Sequence, residues 1–247
     1  MLRPFLIALQ FLTRLPIRLR EEPDAREVGR SVLWYPLVGL LIGMLLAGLA
    51  ALMAPRMPHL LGAALLLTAW VLVTGALHLD GLADSADAWI GGAGDRHKTL
   101  AIMKDPYCGP AAVVILVTVL LVKFAALAAL VAAGNWKGIL LAPLLGRTAL
   151  PLLFLTTPYV RPGGLGAAMS AHLPRKAAGI TVLAVAASIV IATGGKGVWM
   201  VMVGFGTFLL LRQLTMRRIG GTTGDTAGAL VELVETAIVV LGAICAS

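Results

Sequence analysis

From His59 to Asp87 the chain reads HLLGAALLLTAWVLVTGALHLDGLADSAD: residues 59–79 carry no acid, lysine or arginine, and Asp80, Asp84 and Asp87 then follow in quick succession. A membrane span needs about 20 mostly apolar residues to cross a hydrocarbon core of roughly 30 Å, and 59–79 meets that need. Working outward, the same test selects 31–54, 109–133, 138–157, 177–193, 198–211 and 226–246. The sixth of these seven is short. Joining it to the fifth through Gly194-Gly195-Lys196-Gly197 would give a helix about 52 Å long at 1.5 Å per residue, so two tilted or shortened helices fit better. The expected fold is all-α: a polytopic helical membrane protein of about seven transmembrane helices, one integral membrane domain over 1–247 with no internal repeat.

Composition agrees. Of 247 residues, 59% are hydrophobic and 13% charged, with mean hydropathy +0.94, whereas soluble domains are about 25% charged. Lipid is therefore an expected partner. The formal charge of +8 would suggest nucleic acid in a soluble protein, but in a membrane protein excess Lys and Arg first reflects orientation; nucleic-acid binding is not expected. Cys108 and Cys245 are far apart and match no zinc or disulfide spacing. Near the start, Phe5, Leu9, Leu12 and Leu15 recur at helical spacing beside Arg14, Arg18 and Arg20, which predicts an N-terminal amphipathic helix on the membrane surface rather than a cleaved signal.

With the N-terminus inside, the inner segments carry 15 Lys or Arg and the outer loops only Arg56, Lys137 and Lys196. That asymmetry sets a cytoplasmic N-terminus, and an odd number of spans puts Ser247 outside. All twelve acids fall on the inner side or in the last span: Glu21, Glu22, Asp24 and Glu27, then Asp80, Asp84, Asp87, Asp95 and Asp105, then Asp225, Glu232 and Glu235. Orientation does not demand this of carboxylates, so the inner face has a use for them.

If span two continues as a helix, Asp80, Asp84 and Asp87 stand at i, i+4 and i+7 on one face. Three like charges so close repel one another, and a divalent cation relieves the repulsion. Oxygen-only ligands favour a hard ion such as Mg²⁺; solvated interfacial acids are the alternative. His78 is a candidate general base or ligand, or only an interfacial residue. In Gly220-Gly221-Thr222-Thr223-Gly224-Asp225, glycines before a helix start let Gly221, Thr222, Thr223 and Gly224 approach a phosphate, unless the run is a plain turn. Glu232 lies about 10 Å deeper on the Asp225 face. Lys123, Arg147 and Glu235 sit near span middles, where an unpaired charge costs at least about 3 kcal/mol; ion pairing or a site role would explain them. Arg147 suits bidentate phosphate recognition, and Arg96 and Lys104 add cations on the inner face.

Together these motifs resemble the cobalamin synthase family, adenosylcobinamide-GDP ribazoletransferase. The resemblance rests on Phe11-Leu12-Thr13-Arg14-Leu15-Pro16, Gly75, His78-Leu79-Asp80-Gly81-Leu82-Ala83-Asp84 with Asp87, Ile102-Met103-Lys104-Asp105, Lys123, Arg147, and Gly220 to Thr226 with Gly228, Ala229, Glu232 and Glu235. Pro106 to Pro110 departs from the family's basic, glycine-containing run. The resemblance implies an Mg²⁺-dependent enzyme of the bacterial inner membrane, with a cytoplasmic active site. It joins adenosylcobinamide-GDP to α-ribazole, or α-ribazole 5′-phosphate, and releases GMP. On that reading Asp80, Asp84, Asp87, Asp225 and Glu232 are metal-ligand candidates, Lys104 and Arg147 stabilise phosphate oxygens, and His78 or a carboxylate takes the hydroxyl proton. A homo-oligomer is compatible with it. A CDP-alcohol phosphotransferase shares a D-G-x-x-A-like start but expects an Arg that is absent here; a transporter would show repeated halves and mid-membrane polar sites.

Overall fold

The computed structural model describes residues 2–19 and 21–246. The side of the membrane expected for Ser247, and the part of Arg20 in the amphipathic segment, lie outside the described residues. The elements are helical: α1 (Leu2–Leu12), α2 (Ala25–Ser31), α3 (Tyr35–Met53), α4 (His59–Thr74), α5 (Leu77–Gly91), α6 (Arg96–Ile102), α7 (Pro110–Ala132), α8 (Trp136–Thr156), α9 (Gly164–Ala171), α10 (Arg175–Thr193), α11 (Gly195–Ile219) and α12 (Gly224–Ile244). Among the described residues the sole β feature is an isolated bridge between Tyr159 and Thr222. Six helical stretches are long and apolar enough to cross a membrane, and α4 with α5 forms a bent seventh candidate.

The apolar runs pack as helices because lipid offers backbone groups no partners, so each segment satisfies its own. Helices α8 and α12 are central, with 83% and 67% of their spanning windows buried; α10 and α11 are peripheral at 11% and 22%. Gly39 and Gly43 on α3 leave no room for a Cβ against the Pro143 and Leu140 carbonyls of α8, the close small-residue approach that packs membrane helices. Helix α1 turns Ile7, Ala8 and Leu12 inward and sets Phe5 against Trp34 with ring centroids 5.6 Å apart. Its apolar stripe therefore docks on the chain's own α2–α3 region.

Two expected boundaries are corrected. The span 59–79 does not run through: α4 stops at Thr74, and α5 leaves at 89°. The break is local. Gly75 and Ala76 are both left-handed at φ 62° and 58°, and the Arg14 amide donates to the Val73 carbonyl at 2.8 Å beside the turn. Leu77 and Leu79 read as span because they are apolar, yet they begin a crosswise helix. The segment 198–211 is the middle of α11, a 25-residue helix whose polar last turns extend past the apolar window. Gly194, at φ 61°, separates it from α10, so the two stay distinct helices as expected.

The ends of the bundle differ. Residues of the α3–α4 turn (Ala54, Pro55, Met57, Pro58) and of the α7–α8 turn (Ala133, Gly134, Trp136) share one cavity wall. The α7–α8 turn also meets Thr193, Lys196 and Cys245, so all belong to one end. The other end gathers α5, α6, the start of α7, the 157–163 loop and the start of α12.

Candidate active site

Helices α5 and α12 cross where each carries a glycine. A Cβ on Gly81 would stand 2.7 Å from the Asp225 carbonyl oxygen, and one on Gly228 would press on the Gly81 Cα at 3.3 Å. That approach unites the two acidic stripes. Asp84 lies within the electrostatic reach of Asp80, Asp225 and Asp87, with Arg161 opposing them. Arg161 pairs with Asp225 at 3.0 Å and donates to the Met103 carbonyl at 3.0 Å, tying the 157–163 loop to the end of α6 and the start of α12. One guanidinium against these four carboxylates leaves a net negative cluster, so the site attracts cations.

The glycine-threonine run is held tightly. The Thr222 amide donates to the Pro158 carbonyl and the Val160 amide to the Thr222 carbonyl, each at 2.9 Å; a Cβ on Gly221 would strike that same Pro158 carbonyl. Thr223 caps α12 in a reciprocal box with Thr226, and the Thr222 and Thr226 hydroxyls are 2.8 Å apart. Gly221, Thr222 and Thr223 are buried in this zip, while Gly224 is exposed and lines a cavity with Asp80 and Asp225.

Other candidates have definite partners. Asp87 accepts from the Gly109 amide at 2.6 Å and the Ala112 amide at 2.9 Å, which satisfies amides at the start of α7 that have no partner within the helix. Lys123 reaches Glu232 and Glu235 at 2.7 Å each and lies 4.3 Å from the Trp70 ring centroid. Glu235 also pairs with Arg147, whose other terminal nitrogen stands 3.4 Å from His78 Nδ1. A guanidinium only donates, so this contact leaves the ring proton of a neutral His78 on Nε2. Arg147 and Glu235 are fully buried, and Arg147 meets α5 at His78, just before Asp80. Arg96 donates to the Ile219 carbonyl at 2.8 Å, closing the end of α11. Lys104 is exposed, next to the Met103 carbonyl that Arg161 holds.

Among the described residues no group of three or more His, Cys, Asp or Glu side chains is placed so that together they could hold a metal ion. With Asp87 and Glu232 engaged elsewhere, Asp80 and Asp84 remain, beside an Asp225 already paired with Arg161. That set suits Mg²⁺, which is commonly bound through one or two carboxylates with water and substrate phosphates completing the shell. Arg161 and Tyr159 escaped the sequence reading, because a loop residue between Pro158 and Pro162 has no helical spacing to mark it. Burial pushes the Tyr159 phenol above its ordinary value; Arg161 opposes and Asp225 adds to this, so the hydroxyl keeps its proton at neutral pH.

Fold and site together define a polytopic helical membrane protein with a carboxylate centre at one end of its bundle. A family model described as Cobalamin-5-phosphate synthase matches residues 4–243. The chain is 58% identical over 237 residues to an adenosylcobinamide-GDP ribazoletransferase of Pseudomonas entomophila (strain L48), covering 96% of this chain and 97% of that protein. It is 61% identical over 236 residues to one of Pseudomonas putida (strain GB-1), covering 96% of each. No solved structure matches. The chain belongs to the cobalamin-5-phosphate synthase family.

Proposed function

We propose that the chain is an Mg²⁺-dependent adenosylcobinamide-GDP ribazoletransferase of the bacterial inner membrane, with its N-terminus and acidic end in the cytoplasm. The observation that carries this reading is the close crossing of α5 and α12, which sets Asp80 and Asp225 on one cavity with Arg161 paired to Asp225, in a chain whose relatives bear that name. A ribose hydroxyl of α-ribazole, or of its 5′-phosphate, attacks the cobinamide-side phosphorus of the diphosphate. A P–O bond forms, the bond to the bridging oxygen breaks, and GMP leaves with that electron pair. Such transfers need positioning and charge neutralisation more than covalent catalysis.

Asp80 and Asp84, beside Asp225, would hold Mg²⁺, which supplies charge neutralisation on the phosphate oxygens. Arg161 keeps Asp225 oriented, and with Lys104 it contributes positive charge for the diphosphate. Asp80 is the exposed member of the cluster, open to the incoming substrate, and a carboxylate oxygen of the cluster that does not hold the ion takes the hydroxyl proton. His78 Nδ1 faces the Arg147 guanidinium, so His78 serves better as a donor through Nε2 than as the base. The test is purified protein in detergent with adenosylcobinamide-GDP, α-ribazole and Mg²⁺. GMP and a corrinoid carrying the nucleotide loop are expected, with turnover lost in chelator. Absence of GMP under conditions where the protein is folded would overturn the reading, and turnover of a CDP-alcohol would redirect it.

A further inference from the structure

A cavity of 180 Å³ opens beside the acidic cluster, lined by residues from α1, α3, α5, α8, α9 and α12. Its walls are largely aromatic and aliphatic. Phe11 and Tyr35 stack with centroids 6.2 Å apart and planes 20° from parallel, and Leu150, Phe154 and Met169 continue the lining. The Tyr35 hydroxyl donates to Met169 Sδ at 3.3 Å, so its polar tip is already occupied. Asp80 and Asp225 stand at the same cavity. Its shape is thus asymmetric in chemistry: an apolar, ring-walled body and a carboxylate rim.

Resting on the transferase reading above, we infer that this cavity is the subsite for the base of the acceptor nucleoside. The base lies between the Phe11–Tyr35 pair and Phe154, and the ribose faces Asp80 and Asp225. Size supports this: a dry cavity of about 150 Å³ takes benzene, and this one has room for a somewhat larger flat ring. Chemistry supports it too. The apolar body of the cavity favours a base with few edge donors and acceptors, because each one left unpaired there costs about 1–3 kcal/mol. A benzimidazole has one free ring nitrogen, which the His78 Nε2 proton suits. The cavity therefore favours the less polar base of the acceptor over the guanine of the donor.

Two variants change the space in opposite senses: Leu150→Phe narrows it and Phe11→Leu widens it. The dissociation constant of α-ribazole is measured by titration with protein alone, and KM for each substrate in the GMP-release assay. Leu150→Phe is expected to weaken α-ribazole binding at least about 10-fold, as a methylene-scale misfit in an apolar pocket does, while KM for adenosylcobinamide-GDP stays within about 2-fold. Phe11→Leu is expected to shift preference toward a bulkier naphthimidazole riboside. Should Leu150→Phe not fold, Phe11→Leu alone decides through that change in preference, which a merely structural role would not produce. Unchanged α-ribazole affinity and size preference in folded variants, or equal loss for both substrates, would overturn the assignment. If wild-type protein binds α-ribazole but releases no GMP, the transferase reading fails while the subsite stands.

Discussion

Lys123, Glu232, Glu235 and Arg147 form a neutral quartet in the bundle interior, two cations against two carboxylates. Each side chain is at most 5% exposed, so removing one member leaves an uncompensated buried charge. We predict that Lys123→Met destabilises the protein by about 3–5 kcal/mol, and that adding Glu232→Gln, which restores neutrality, recovers more than half of the loss. Thermal unfolding in detergent reads both. A double variant no more stable than the single would show that the quartet is not held by charge balance. At this scale the sequence was informative about depth and silent about direction. Lys123 and Arg147 in apolar runs announced that partners existed, but which acid met which cation depended on helix rotation. Arg161, the partner of Asp225, sat unmarked in a loop, and Asp87 looked like its neighbours Asp80 and Asp84 until the α7 amides reached it.

The α4–α5 break shows what element-level pattern misses. Hydropathy runs unbroken from His59 to Leu79, and a lone glycine in a membrane helix is common, so Gly75 gave no warning of a right-angle turn. Ala76 makes it harder still, since a left-handed alanine costs roughly 1–2 kcal/mol and is paid only when surrounding packing imposes it. The spacing of Asp80, Asp84 and Asp87 was nevertheless readable, because all three fall within α5 and share its face whichever way the helix points. The glycine-threonine run was legible as a helix start; its use as a backbone zip to the 157–163 loop was not, since that depends on a segment about 60 residues distant in the chain. The separation of α10 from α11 followed from length alone.

Across the whole molecule, the alternation of apolar spans foretold which turns share an end, while the charge asymmetry of the loops predicts that the acidic end faces the cytoplasm. Two native thiols test the orientation. Cys108 and Cys245 are free and exposed; Cys108 lies just before α7, and Cys245 just after α12, at opposite ends of the bundle. With one cysteine at a time replaced by serine, an impermeant maleimide applied to spheroplasts should label Cys245, and Cys108 only after permeabilisation. The inverse pattern would place the acidic end outside the cell.

The crossing of α5 over α12 is what turns two acidic stripes into one centre, and kinetic coupling between them measures it. GMP release is compared for wild type, Asp80→Asn, Asp225→Asn and the double variant at saturating Mg²⁺. Each single change is expected to lower turnover at least about 100-fold, and the double to lose little more than the worse single, because residues acting as a unit are strongly non-additive. Losses that multiply, or a single variant with wild-type turnover, would contradict a shared centre.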